Sequence, residues 1–425
     1  MRAREAAGAG PGEVGGSDGA GWGDVGDDVL CRLLFDGARV ALGDGAGVPA
    51  GAARSLSAAA RAAGGVELVV GWLPGPLPPV ELDAFATVLA LMGGYGLRRP
   101  IDSGVVRYVP VRLGAVPALL RGPLRVDVLV ASVRRRGDGW AFTTEVSWQR
   151  AAVDAGALVA GVERRASPCA DAGPPLPEDR VVLAGASPAP PAAVEWARPS
   201  GADRVIAERV AALVPEGARL QVAPGPMGDA VLDALGRPVR LDTGVLTDAA
   251  VGVARRGLLV GDPLATYVAG GPELYDWVAG RRVVQGVEVT HDAARLSGGP
   301  ALFAVNTALE IDLDGQVNVE AAGGSAVAGI GGQPDYAYGA ASSAEGLSVV
   351  ALPTMRGMRG VHHPTLVERL AAPASTPSHD VDVVVTELGV ADLRGLDRGE
   401  RRRAIARLWG AGGAGGAGGA GGAGA

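Results

Sequence analysis

The feature that most constrains this chain is a recurring unit: a short apolar run, then a glycine-bearing turn, then a stretch of helical periodicity. "ARVALGDG", "VELVVGWL" and "VDVLVASV" have the length and composition of buried strands. Among them lies "PAGAARSLSAAARAAGG", helical and closed by glycines, as helices commonly are. Downstream, "RLQVAPGPMGDAVLDALG" reads as strand, glycine turn and helix, and "VDVVVTE" as another buried strand. Three further helices are expected. "DRVIAERVAALVPEG" is capped by Asp203, "TDAAVGVARRGLL" by Thr247, and "DRGERRRAIARLW" begins at Asp397. Strands alternating with helices call for a mainly parallel sheet covered on both faces, so the fold class expected is α/β.

With 425 residues the chain is long enough for more than one such unit. Prolines crowd residues 170 to 200 ("DAGPPLPEDR", "ASPAPPAAVEW"), and the domain boundary is placed there. The reading is an N-terminal α/β domain over 27–190 and a C-terminal α/β domain over 200–409. Residues 1–26 and the Gly/Ala repeat of 410–425 lack apolar patterning and are expected to be disordered.

Charge and residue usage exclude several functions. The net charge of −7 argues against a domain that grips nucleic acid by its phosphates. Every cation is arginine, and without lysine there is neither a Schiff base nor a P-loop. Two distant cysteines, Cys31 and Cys169, make neither a disulfide framework nor a thiolate zinc site. Four histidines are few for a metal centre; His362 and His363, before Pro364, are expected in a loop, and no metal is expected. "RRRGDG" at Arg134–Arg136 reads as a solvated turn. No apolar run is long enough to span a bilayer and no secretory h-region opens the chain, so a cytoplasmic protein is expected. No clean GxGxxG with its downstream acid supports a nicotinamide enzyme.

Four segments carry more glycine and polar residues than packing requires. "DGAGVP" (Asp44–Pro49) and "QVAPGPMGDAV", which includes Gly225, are each either a ligand-approach turn or a plain tight turn. "LDTGVLTDAAV" sets Asp248 at a helix N-terminus, where the dipole favours a carboxylate. The fourth is "AVNTALEIDLDGQVNVE" with "GIGGQPDYAYGAASSAEGLSVVALP". It gathers Asn306, Glu310, Asp312, Gln316 and Asn318 in apolar surroundings, then Gly329, Gly331 and Gly332. Backbone amides in such a turn can serve as oxyanion donors.

At these residues the sequence resembles the acetyl-CoA hydrolase/CoA-transferase family, which includes 4-hydroxybutyrate and acetate or succinate CoA-transferases. The matching stretches are "VNTALEIDLDGQVNVE", "GIGGQPDYAYGA", "GLSVVALP", "STPSHDVDVVVTELGVADLRGLD" and "ERRRAI", in the family's order. The resemblance implies two similar open α/β domains with the active site between them. It also implies a glutamate that attacks the thioester, giving an acyl anhydride and then an enzyme–CoA thioester. In this sequence Asp248 occupies that nucleophile position and Leu246 the position of a preceding histidine. Asn306 and the backbone amide at Gly332 are the implied oxyanion donors. Gly331, Gln333, Asp335 and Gly225 are candidates to line the CoA channel, or to form turns. Glu310 and Asp312 are expected to brace the loop, and Glu387 to be structural. The resemblance implies no bound cofactor, coenzyme A as substrate, a small carboxylate as acceptor, and a homodimer. Acyl-CoA hydrolysis on the same site, or a non-catalytic acyl-CoA-binding protein in which aspartate has replaced glutamate, are the alternatives.

Overall fold

The computed structural model describes residues 27–410 except 169, 359 and 360. The termini expected to be disordered, and Cys169, lie outside the described residues.

Two open sheets organise the chain. The first has the spatial order Arg107–Tyr108, Thr87–Ala90, Glu67–Val70, Arg39–Leu42, Val128–Arg136, Leu158–Arg164 and Val181–Ser187, with every neighbouring pair parallel. The second runs Arg240–Leu241, Arg219–Val222, Leu302–Asn306, Leu347–Ala351 and Val383–Thr386 in parallel, and ends on antiparallel Gly389–Asp392. The central strands are buried along almost their whole length, as parallel strands covered on both faces must be. The architecture is α/β without a closed barrel, as the alternation of runs predicts.

Local chemistry sets the element ends. Helix Ala53–Ala63 stops at Gly64, whose φ of +76° is open to glycine at little cost. Helix Arg398–Leu408 opens with a capping box between Asp397 and Glu400. Four expectations need correction. Helix Gly201–Leu213 is capped by Ser200, and Asp203 is the reciprocal partner three residues in. Arg134–Arg136 complete a strand that turns back through Gly139–Ala141. There Arg135 lies over the Trp140 ring and Arg136 pairs with Asp171, so the run is a hairpin edge rather than a free solvated turn. His362 and His363 lie in the hairpin strand Val361–Pro364, paired with Met355–Met358. The proline-rich stretch is interrupted by Val181–Ser187, the edge strand of the first sheet.

The two halves of the chain meet at a buried carboxylate. Asp44 follows the first sheet's Arg39–Leu42 strand and is 1 % exposed. One oxygen, Oδ2, accepts from Tyr267 Oη (2.7 Å), Trp148 Nε1 (2.9 Å) and the Trp72 amide (3.0 Å), with Ser147 Oγ at 3.4 Å. Tyr267 comes from the second half of the chain, in a short strand whose Val268 amide donates to Thr144 O (2.8 Å). Trp72 meets the Tyr267 ring edge-on at 4.9 Å. Nearby, Glu145 fills the concavity of the Gly45–Gly47 turn and accepts from the Gly47 amide (2.9 Å) and Thr144 Oγ1 (2.6 Å).

Burial raises the Asp44 carboxyl to about 6, against the pull of its donors, and raises Glu145 to about 7. A raised carboxyl stabilises the fold fully below its unfolded value, and that contribution is lost as pH rises through the folded value. Asp44 should therefore contribute a fall in unfolding free energy of about 3 kcal/mol between roughly pH 4 and pH 6. Asp44→Asn keeps an acceptor for the donors and removes the titration. Urea unfolding from pH 4 to 8 should show a shallower decline in this variant, the remainder being shared by the other buried carboxyls that burial raises, Glu145, Asp229 and Asp335 among them. An unchanged slope would mean that Asp44 does not carry it.

Candidate active site

The site begins at the C-terminal end of the strand Leu302–Asn306. Ala304 pairs with Gln221 of the neighbouring strand, which puts Gln221 and Asn306 on the same face. Gln221 Nε2 donates to Asn306 Oδ1 (3.2 Å), and both side chains are buried. The amide carbonyl of Asn306 is thereby held, and its Nδ2 has no partner among the described residues. Gln221 Oε1 is likewise without a partner among them, so this buried amide pair leaves one donor and one acceptor for water or a ligand to meet.

The glycine turn lies beside helix Gln333–Ser342. Gly331 has φ +63°, and its carbonyl accepts from the Leu113 amide of the first half (3.0 Å). Gly332 is the N-cap residue, and Pro334 sits in the first turn, where no amide is needed. Gly332 itself has an ordinary φ of −94°, so its need for glycine is steric. An added Cβ would lie 2.5 Å from His291 Cδ2 and closer still to Nε2. Asp335 is buried and accepts from the Gly114 amide (3.0 Å), with Arg112 Nε at 3.5 Å. Burial pushes its carboxyl up to about 7, opposed by Gly114 and Arg112. It braces the first half against the helix start. Gln333 Nε2 is a second buried donor without a partner among the described residues.

Asp248 stands at the N-terminus of helix Ala249–Arg255. It is the N-cap residue in place of the expected Thr247, whose hydroxyl donates to Asp229 Oδ1 instead (2.8 Å). Asp248 is exposed, and its oxygens accept from the Gly271 amide at 3.0 and 3.1 Å. The carboxylate occupies the side-chain space of residue 270: a Cβ on Gly270 would lie 2.8 Å from Asp248 Cγ. Leu246 is core. Gly225 caps helix Pro226–Ala234, the helix that carries Asp229, with φ +103° beside the Trp196 ring.

The hydrogen bonds of Asp248 go to Gly271, and those of Asn306 go to Gln221. His291 stands between the glycine turn and the Asp248 segment: its ring borders Gly332 and faces Gly244, the first residue of the Gly244–Asp248 segment. Sequence reading singled out neither His291 nor Gln221. The signal available was a glycine with no turn to explain it, at 332, and an amide on the strand beside Asn306. The expected braces do brace. Asp312 accepts from the amides of Asp314 (3.0 Å) and Gln316 (2.9 Å), and Glu310 from Asn318 Nδ2 (3.1 Å). Gln316 accepts from Ser378, and Glu387 from the amide and hydroxyl of Thr354.

Two open, mainly parallel sheets define the fold. Over 91% of its length the chain superposes on 94% of RipA from Yersinia pestis with a TM-score of 0.78 at 21% identity, a likeness of fold. Residues 270–408 match the family model of the acetyl-CoA hydrolase/transferase C-terminal domain. Over that third of its length the chain is similar to that family. It is 29% identical over 218 residues to 4-hydroxybutyrate coenzyme A transferase of Clostridium kluyveri, a match covering 48% of this chain and 51% of that one. It is 26% identical over 341 residues to butyryl-CoA:acetate CoA-transferase of Anaerostipes caccae, covering 75% and 76%. The chain thus spans about half the length of the first relative and three quarters of the second.

The brace at Asp335 makes a prediction. Asp335→Ala strands the Gly114 amide and should cost about 1–3 kcal/mol of stability. Asp335→Asn keeps an acceptor there and should cost less than half as much. Chemical unfolding of both variants checks the order; equal losses would place the weight on Arg112 instead.

Proposed function

We propose that this protein is a CoA-transferase that moves coenzyme A from a short-chain acyl-CoA to a small carboxylate. The observation that carries the reading is the buried Nδ2 of Asn306, without a partner among the described residues, on an amide fixed by Gln221 at a strand end. A donor held there without an acceptor is organised for charge that develops only during reaction. The names of the relatives fit it: both transfer CoA.

In this reading a carboxylate oxygen of Asp248 attacks the thioester carbonyl carbon. Negative charge gathers on the carbonyl oxygen, where Asn306 Nδ2 and the backbone amide at Gly332 would receive it. The C–S bond breaks, CoA leaves as thiolate, and an aspartyl acyl anhydride remains. The thiolate then attacks the aspartyl carbonyl carbon and expels the first carboxylate, leaving an aspartyl–CoA thioester. The acceptor carboxylate attacks that thioester, and reversal of the same steps returns Asp248 and releases the new acyl-CoA. No net proton is exchanged. Gly331, Gln333 and Gly225 are proposed along the CoA path, and Asp335 as the brace behind it. With no lysine in the chain, the CoA phosphates must meet arginine or backbone amides.

Hydrolysis is the second reading, and the exposure of Asp248 favours it. Water that reaches the anhydride or the thioester would release free acid and free CoA.

The test is incubation with acetyl-CoA and a panel of small carboxylates, following all CoA species by mass spectrometry. New acyl-CoA supports the transferase, free CoA alone supports the hydrolase, and unchanged acetyl-CoA in the presence of measured binding supports a non-catalytic protein. Asp248→Ala should lower turnover about 10³-fold or more and abolish the CoA adduct seen by intact mass, with CoA binding retained. Asn306→Ala should lower kcat about 10²–10³-fold. Wild-type turnover in Asp248→Ala would remove the nucleophile assignment.

A further inference from the structure

We infer that His291 is a positioning residue that sets the Gly331–Gly332 turn against the Gly244–Asp248 segment; this rests on the reading of the site as a CoA-transferase or hydrolase. The ring is 2 % exposed and packed on three sides. On one side is the Cα of Gly332, with the imidazole occupying the space that a side chain at 332 would fill. On a second is Gly244, where an added Cβ would lie 3.7 Å from Nε2. On the third is Tyr336, one turn into the helix that the glycine turn begins, edge-on at 4.9 Å.

The ring is also anchored. Its Nδ1 is hydrogen-bonded to Thr290 Oγ1 at 2.8 Å, and its backbone amide donates to Val287 O at 2.9 Å. Its own carbonyl lies where a Cβ on Gly114 would fall, at 2.7 Å, so the first half of the chain presses on the same residue. Gly114 in turn donates to Asp335. A rigid aromatic side chain held at its far edge, its near edge filling the side-chain space of Gly332 and facing Gly244 at the distance where a Cβ would just touch it, limits how closely those segments can approach. Burial, with the charge of Arg295 adding to it, pushes the imidazole down to about 3, so the ring is neutral. Its Nε2 meets no polar partner among the described residues, and its contact with Gly332 is one of shape.

The consequence is a size-matched pair: glycine at 332 because histidine is at 291. The segment bearing the proposed nucleophile and the turn bearing the proposed oxyanion amide would keep their spacing through this ring. Displacement of catalytic groups by about 1 Å can cost about 10²-fold in rate.

The experiment uses the full chain with acetyl-CoA and the acceptor found above, in wild type, His291→Ala, Gly332→Ala and the double variant. His291→Ala should lower kcat about 10- to 100-fold and leave KM for acyl-CoA within about threefold, since the ring is buried away from solvent. Gly332→Ala alone should lose more, because its Cβ meets the ring. The double variant should be faster than Gly332→Ala alone, and its melting temperature should exceed that of Gly332→Ala. A purely structural histidine would give additive losses and no recovery of kcat. An active wild type whose His291→Ala keeps its kcat, or a double variant no faster than Gly332→Ala, overturns this role and leaves the function reading intact. A wild type with neither exchange nor hydrolysis overturns the function reading and this role with it. In that case recovery of the melting temperature in the double variant would still establish the packing.

Discussion

The arrangement of the two halves depends on one buried acceptor, Asp44 Oδ2. A carboxylate with no cation beside it is expensive to bury, and it persists only where several donors converge. Here those donors are an amide and an indole of the first half and a phenol of the second. Because Tyr267 lies in the strand that pairs with Val245–Leu246, the position of Asp44 reaches the Gly244–Asp248 segment through only two strands. The same half presses on the glycine turn from the other side, through Leu113 to Gly331 and Gly114 to Asp335. The first domain therefore acts on the site as a clamp on backbone, and the groups proposed to act in the chemistry all come from the second.

Glycine does two different jobs in this clamp. At Gly331 it permits a left-handed backbone, which any other residue would adopt with strain. At Gly332 and Gly270 it leaves room for someone else's side chain, His291 and Asp248 respectively. The second use makes each glycine and its occupant a unit, so the local geometry is set by side-chain shape more than by hydrogen bonds. Close packing of this kind transmits small displacements, because neither partner has slack to absorb them.

That distinction also explains what could be read from the sequence. The sheets and most helices follow from apolar runs and caps, which are local, and "VELVVGWL", "VDVVVTE" and the Asp397 start stand as read. Errors arose where two residues competed for one local role. Ser200 took the cap that Asp203 seemed to hold, and at 247–248 neither side chain caps the helix, Thr247 donating to Asp229 and Asp248 accepting from Gly271. The family motifs located Asn306, Gly332 and Asp248, since those are runs along the chain. His291 was invisible. Its meaning lies wholly in a contact with a residue 41 positions later, and nothing in "VEVTHDAARL" says that the ring will lie on a glycine.

The shorter side chain at the proposed nucleophile position can be weighed in the same terms. Aspartate at 248 carries its carboxylate one methylene nearer the backbone than the glutamate the resemblance implies. The carboxylate is held by the Gly271 amide, and Gly270 opens the space it fills. To attack a thioester it must either receive the substrate in that position or give up a charge-assisted hydrogen bond and swing outward. The first course needs an acyl-CoA path that approaches the 270–271 backbone closely. Gly270 is buried and its side-chain space already holds the carboxylate, so that approach must come from the exposed side of Asp248. The second adds the cost of the bond, about 1.5–3 kcal/mol, to the barrier. A glutamate at the same position could reach further from the same backbone; the aspartate instead fills the space beside Gly270 and accepts from the Gly271 amide, so its reach depends on whether substrate is brought to it or that hydrogen bond is released.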